Sequence, residues 1–194
     1  MEAFGPNHVG TFVEVGAFDG VSFSNTRCLT ELGWSGLYIE PMPLFAEWCR
    51  EFSKPYPKVK VECCACGYKE GDLVLYECGS ESTTQLDTWT RQWGVSESSK
   101  QYIVPCFRLE TLLDKHGVTN VDVLVVDTEG TETQVLSGFD LGKHLPKLAI
   151  IELHEAQGTG PNDKGYQEPW VTQFFSNHGY RKIYFDRINT VYSR

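Results

Sequence analysis

No stretch of this 194-residue chain approaches the ~20 consecutive apolar residues that a membrane-spanning helix needs. Residues 1–10 (MEAFGPNHVG) carry neither a basic n-region nor an apolar h-region, so no signal peptide is visible. A second C-x-x-C and an H-x₃₋₅-H are both missing. Cys63-Cys64-Ala65-Cys66 therefore falls short of the ligands of a structural zinc site, and reads as small residues filling a strand end. Lysine and arginine form no dense patch with interleaved aromatics. With a formal net charge of −9, nonspecific attraction to nucleic acid or an anionic membrane is not a driving force. No repeat, linker or low-complexity tract divides the chain, which reads as one domain over 1–194. The seven cysteines, odd in number and scattered, fit a reduced, cytoplasmic compartment better than a disulfide framework, with an upstream targeting segment left open.

What is present is a globular composition, 41% hydrophobic and 13% aromatic. Strand and helix signals alternate. Strands are expected at 12–15, 36–39, 59–63, 72–77, 121–126 and 148–153, with a closing hairpin of 181–185 and 190–192 inside 180–193. Helices are expected at 23–32, 44–52, 109–115, 131–136 and 170–177. Residues 79–101 are polar, hold Trp89 and Trp93, and form the one long irregular stretch, a candidate lid. Alternation of this kind predicts an α/β fold with a mostly parallel sheet and helices on both faces.

The most telling segment is Thr11-Phe12-Val13-Glu14-Val15-Gly16-Ala17-Phe18-Asp19-Gly20. An apolar strand runs into a glycine turn and then a helix-like segment, the arrangement at which nucleotides bind. The spacing Gly16-x-x-x-Gly20 is not the G-x-G-x-x-G that cradles a pyrophosphate, and Glu14 would repel a diphosphate. A nucleoside carrying positive charge suits this loop better than a dinucleotide. Ligands of such sheets bind beyond the carboxyl ends of the strands. The residues expected there are mostly acids: Glu14 and Asp19, Glu40, Asp127 and Glu129, and Glu152, His154 and Glu155. Glu40, closing the second strand, has the placement that accepts hydrogen bonds from ribose hydroxyls.

Residues 12–26 resemble motif I of the FkbM-type S-adenosylmethionine-dependent methyltransferases. Gly33-Trp34-Ser35-Gly36-Leu37-Tyr38-Ile39-Glu40-Pro41-Met42-Pro43 is similar to that family's second motif. Asp127-Thr128-Glu129-Gly130-Thr131-Glu132 matches its D-x-E-G-x-E signature. The motif-bearing core is 11–153. The resemblance implies a class I methyltransferase, Rossmann-like fold with a seven-stranded, mostly parallel sheet. It also implies S-adenosyl-L-methionine as cofactor, with Glu14, Gly16, Ala17, Asp19 and Gly20 around the methionine moiety. Glu40 and Pro41 would then lie at the ribose, and the strand end at Cys66 beside the adenine. Phe18 and Met42 stand where many relatives carry Asn.

By the same resemblance the reaction is methyl transfer to a hydroxyl of a small-molecule or glycan-like acceptor. A hydroxyl nucleophile needs a proton acceptor. Asp127 is the first candidate, with a role in holding the donor as the alternative, and Glu129 and His154 follow. Glu129, Glu132, Glu152 and His154 raise a second chemistry, a divalent metal acidifying the hydroxyl, although Glu132 in a first helical turn needs no metal to explain it. A metal-assisted 2′-O-methyltransferase on a nucleic-acid end is a further reading. A Lys-Asp-Lys-Glu tetrad is disfavoured because no lysine accompanies Asp127. A non-catalytic interaction module and an NAD-dependent oxidoreductase complete the alternatives.

Overall fold

The computed structural model describes residues 4–77, 99–153 and 167–194. Along the chain the strands are β1 (Thr11–Val15), β2 (Ser35–Ile39), β3 (Val59–Glu62), β4 (Ala65–Cys66), β5 (Gly71–Tyr76), β6 (Gln101–Phe107), β7 (Val123–Val126), β8 (Leu148–Glu152), β9 (Arg181–Phe185) and β10 (Asn189–Ser193). The helices are α1 (Arg27–Glu31), α2 (Pro43–Ser53), α3 (Leu109–His116), α4 (Glu132–Ser137), α5 (Leu141–His144) and α6 (Glu168–Ser176).

The main sheet has seven strands in the order β3-β2-β1-β7-β8-β10-β9. β3, β2, β1, β7 and β8 run parallel, while β10 is antiparallel to both neighbours. Successive residues point to opposite faces, so the apolar runs feed two cores. Val13, Val15, Leu37, Ile39, Leu124, Val126, Ala149 and Ile151 meet α3, α4 and α6 through Leu112, Val135 and Phe175 on one face. Phe12, Tyr38, Val123 and Val125 meet Trp34 and Cys49 of the other face. Such burial stabilises by roughly 1.5–3 kcal/mol per large side chain. Chain order departs from spatial order between β1 and its neighbours β2 and β7, the topological switch at which ligands collect.

Three expectations are corrected by local chemistry. The helix expected at 23–32 begins only at Arg27. Phe23 lies at φ 59, and the carboxylate of Glu14 takes Ser24, Asn25 and Thr26 as donors, so these residues cannot enter a helix. The strand ending expected at Cys63 stops at Glu62, and Ala65–Cys66 joins a second, three-stranded sheet ordered β4-β6-β5. β6, which no signal in the sequence announced, pairs with β5 from Gly71↔Cys106 to Tyr76↔Gln101. Pro105 stands inside it, a residue that argues against a strand flanked on both sides. The candidate lid lies outside the described residues except for its last three positions, as do Trp89 and Trp93. Among the described residues no helix is long and apolar enough to cross a membrane.

Candidate functional site

The carboxyl ends of β1, β2 and β7 converge on Gly16. Its N–H and that of Ala17 donate to Ile39 O at 2.9 and 3.2 Å, and Asp127 N–H donates to Val15 O at 2.9 Å. Gly16 has φ 88, and a Cβ there would lie 1.6 Å from the carbonyl oxygen of Asp127. Only glycine lets the loop cross the end of β7 this closely. Gly20, at φ 74, closes the turn against Cys49 and Phe52. Asp19 holds the turn from within: its carboxylate accepts from Val21 N–H at 2.8 Å, Ser22 N–H at 2.6 Å and Ser22 Oγ at 2.8 Å.

Glu40 follows β2 and is buried between this loop and α2. One oxygen accepts from Phe18 N–H at 2.9 Å and the other from Met42 N–H at 2.8 Å. Burial nevertheless pushes its carboxyl up to about 7, because two neutral donors do not replace lost hydration. Glu14 is also buried. It accepts from Ser24 Oγ at 2.9 Å, Asn25 N–H at 3.1 Å and Thr26 Oγ1 at 2.5 Å, and burial raises its carboxyl despite them. Glu14 thus shapes the loop that follows the glycine turn. Pro41 is half-buried, its carbonyl 3.9 Å from Cys63 Sγ. Cys66 packs into the core, and burial, with Cys64 and Cys106 nearby, holds its thiol well above the ordinary range.

Beyond β7 and β8, one carboxylate oxygen each from Asp127, Glu129 and Glu152 lies within 4.8 Å of the others. Burial, followed by the charges of Glu152 and Glu129, raises the Asp127 carboxyl well above the usual range. Three such oxygens could hold a hard divalent cation, and a shared proton would relieve part of their repulsion as well. Of the alternative metal set Glu129, Glu132, Glu152 and His154, Glu129 and Glu152 meet in this cluster and Glu132 does not. Its carboxylate is turned onto Thr128, Gly130 and Gln167 instead. His154 lies outside the described residues. Gln167 was missed altogether. Its contact spans 35 positions, and no local signal could have revealed it.

A family model described as the methyltransferase FkbM domain matches residues 14–182. The chain belongs to the FkbM methyltransferase family. No curated protein sequence matches it. Among solved structures, the FkbM methyltransferase from Methylobacillus flagellatus KT is similar at TM-score 0.62 and 15% identity, over 97% of this chain and 44% of that one. The chain thus spans less than half the length of that methyltransferase. A precorrin-6y C5,15-methyltransferase from Geobacter metallireducens GS-15 is similar at TM-score 0.48 and 10% identity, over 95% and 80% of the two chains. The CMeT domain of the citrinin polyketide synthase follows at 0.49 and 11%, over 98% and 47%. The FkbM assignment and the class I methyltransferase, Rossmann-like fold expected from the sequence are both borne out. Gly16, Glu40 and Asp127, the central residues of the three motifs, meet at the switch point of this FkbM-family sheet.

Proposed function

We propose that this chain binds S-adenosyl-L-methionine at the Gly16–Gly20 loop and transfers its methyl group to a hydroxyl of a small-molecule or glycan-like acceptor. The observation that supports this most is the convergence of strand ends at Gly16. There the ends of β1, β2 and β7 meet so closely that a Cβ would strike the Asp127 carbonyl oxygen, and the acids Glu40 and Asp127 follow β2 and β7 at the same end of the sheet. Carboxyl ends of strands at such a switch point are where nucleosides bind, and the surrounding carboxylates suit a positive charge. The bound cofactor would supply an electrophilic methyl on a sulfonium, reacting by in-line displacement.

The residues of the chain supply position and charge. Gly16 and Ala17 present the loop backbone to the methionine moiety, with Glu14, Asp19 and Gly20 fixing the loop around it. Glu40 accepts from the ribose hydroxyls while its other lone pairs keep Phe18 and Met42 in place. Pro41 and the strand end at Cys66 border the nucleoside. Asp127 receives the acceptor's hydroxyl proton, and burial, with Glu152 and Glu129 beside it, raises its basicity. Alignment and water exclusion supply the rest of the acceleration.

Calorimetry with S-adenosylhomocysteine and NAD tests the cofactor assignment: micromolar binding of the first and none of the second is expected. Binding of NAD, or of neither, overturns it, and the second outcome favours an interaction module. A screen of hydroxyl acceptors with labelled donor tests the reaction. Asp127→Asn should lower transfer by ~10²-fold or more while donor affinity changes little. Loss of affinity alone would make Asp127 a donor ligand.

A further inference from the structure

Glu132 opens α4 with 1% of its surface exposed. An acid in a first helical turn ordinarily faces solvent or the free N–H groups of its own helix. Glu132 reaches backward instead. One of its oxygens accepts from Thr128 N–H at 3.1 Å, Thr128 Oγ1 at 3.2 Å and Gly130 N–H at 3.0 Å. The other accepts from Gln167 Nε2 at 2.7 Å, and Gln167 Oε1 in turn accepts from Thr133 N–H at 2.9 Å. One side-chain pair therefore ties three things together: the loop after β7, the first turn of α4 and the residue that precedes α6.

That loop is under strain. Glu129 sits at φ 57 and Gly130 at φ 104. A long side chain in the left-handed region costs roughly 1–2 kcal/mol, so the conformation persists only where its surroundings over-determine it. The donors on Glu132 come from Thr128 and Gly130, the two residues flanking Glu129. They hold the backbone on both sides of the strained residue, and through it the approach of Glu129 to Asp127 and Glu152.

We propose that Glu132 and Gln167 are a positioning pair that sets the shape of the Asp127–Gly130 loop, and through it the carboxylates that meet donor and acceptor. The inference rests on the methyl-transfer reading above for its link to function. Neither side chain touches the reacting atoms, and both act through the loop. Hydrogen-bond polarity makes the pair specific. Gln167→Glu sets two carboxylates face to face. Glu132→Gln sets an amide NH₂ against that of Gln167, and turning Gln167 over would only set its NH₂ against Thr133 N–H. The exchange Glu132→Gln/Gln167→Glu restores the match. The introduced amide keeps its oxygen on the loop and donates to the introduced carboxylate, whose second oxygen accepts from Thr133 N–H.

The test compares both single variants and the exchange by amide hydrogen exchange at Thr128 and Gly130, and by calorimetry with S-adenosylhomocysteine. Each single variant should speed exchange at both amides and weaken binding roughly tenfold, as loss of a buried charge-assisted hydrogen bond does. The double variant should bring both readouts back to within about threefold of the parent. A double variant no better than the worse single one overturns the proposal, as do single variants that leave both amides unchanged. Should Glu132→Gln fail to fold alone, Gln167→Glu against the double variant decides the matter, because Gln167 is only half-buried. A parent chain that does not bind S-adenosylhomocysteine sinks the functional reading, while the exchange rates still judge the pair.

Discussion

Glu40 commits both oxygens to backbone N–H groups, yet burial pushes its carboxyl from 4.5 up to about 7. The consequence for stability has a definite sign. Between those two values the folded chain holds a proton that the unfolded chain has released, so folding weakens as pH rises through this window. The loss attributable to Glu40 is at most about 3 kcal/mol, at 1.36 kcal/mol per pH unit. The buried Glu14 and the half-buried Asp127 are shifted in the same direction. Binding has the opposite dependence. Ribose hydroxyls donating to Glu40 favour its ionised form, so S-adenosylhomocysteine affinity should strengthen from pH 6 to pH 8. Calorimetry in buffers of different ionisation enthalpy should detect proton release near pH 7. Glu40→Gln should flatten the affinity profile, and a profile unchanged by that substitution would remove Glu40 from the ribose.

Elements meet at the site through backbone more than through side chains, and two glycines separate the effects. Gly16→Ala places a methyl 1.6 Å from the Asp127 carbonyl oxygen as well as forcing alanine to φ 88. The end of β1 must then part from β7, with an expected loss of about 3 kcal/mol or more in urea unfolding and of most donor affinity. Gly117, which ends α3 at φ 64, has nothing within 4 Å of a Cβ. Gly117→Ala should cost only about 1 kcal/mol and leave binding unchanged. Comparable losses for both would show that the crossing at Gly16 is not tight. The elements themselves were legible to unequal degrees. β1, β2, β7 and β8 declare themselves because strands buried on both faces are near-continuous apolar runs. α1 was overextended because its first turn is taken by Glu14, a tertiary contact invisible to periodicity. β6 escaped because Pro105 masks a strand whose pairing with β5 is otherwise regular. The acids at the strand ends could be read from position, but not their uses. Glu129 and Glu132 stand three apart in one motif, and only the fold shows one facing Asp127 and the other holding the loop.

At the scale of the molecule, charge and topology act together. The chain carries a net −9, and the parallel strands deliver Glu14, Glu40, Asp127 and Glu152 to one edge of the sheet. A field of that sign attracts a cation before contact, and salt weakens it beyond about 8–10 Å. The sulfonium donor carries one positive charge more than its demethylated product, while the two have nearly the same shape. Donor association should therefore slow severalfold between about 20 mM and about 500 mM salt, with product association nearly constant. Dissociation of both should respond little, since the groups in contact are buried and poorly screened. Stopped-flow measurement of the two association rates against salt reads this difference directly. Equal salt slopes for donor and product would mean that the acids serve the fold and the loop rather than the charge of the ligand.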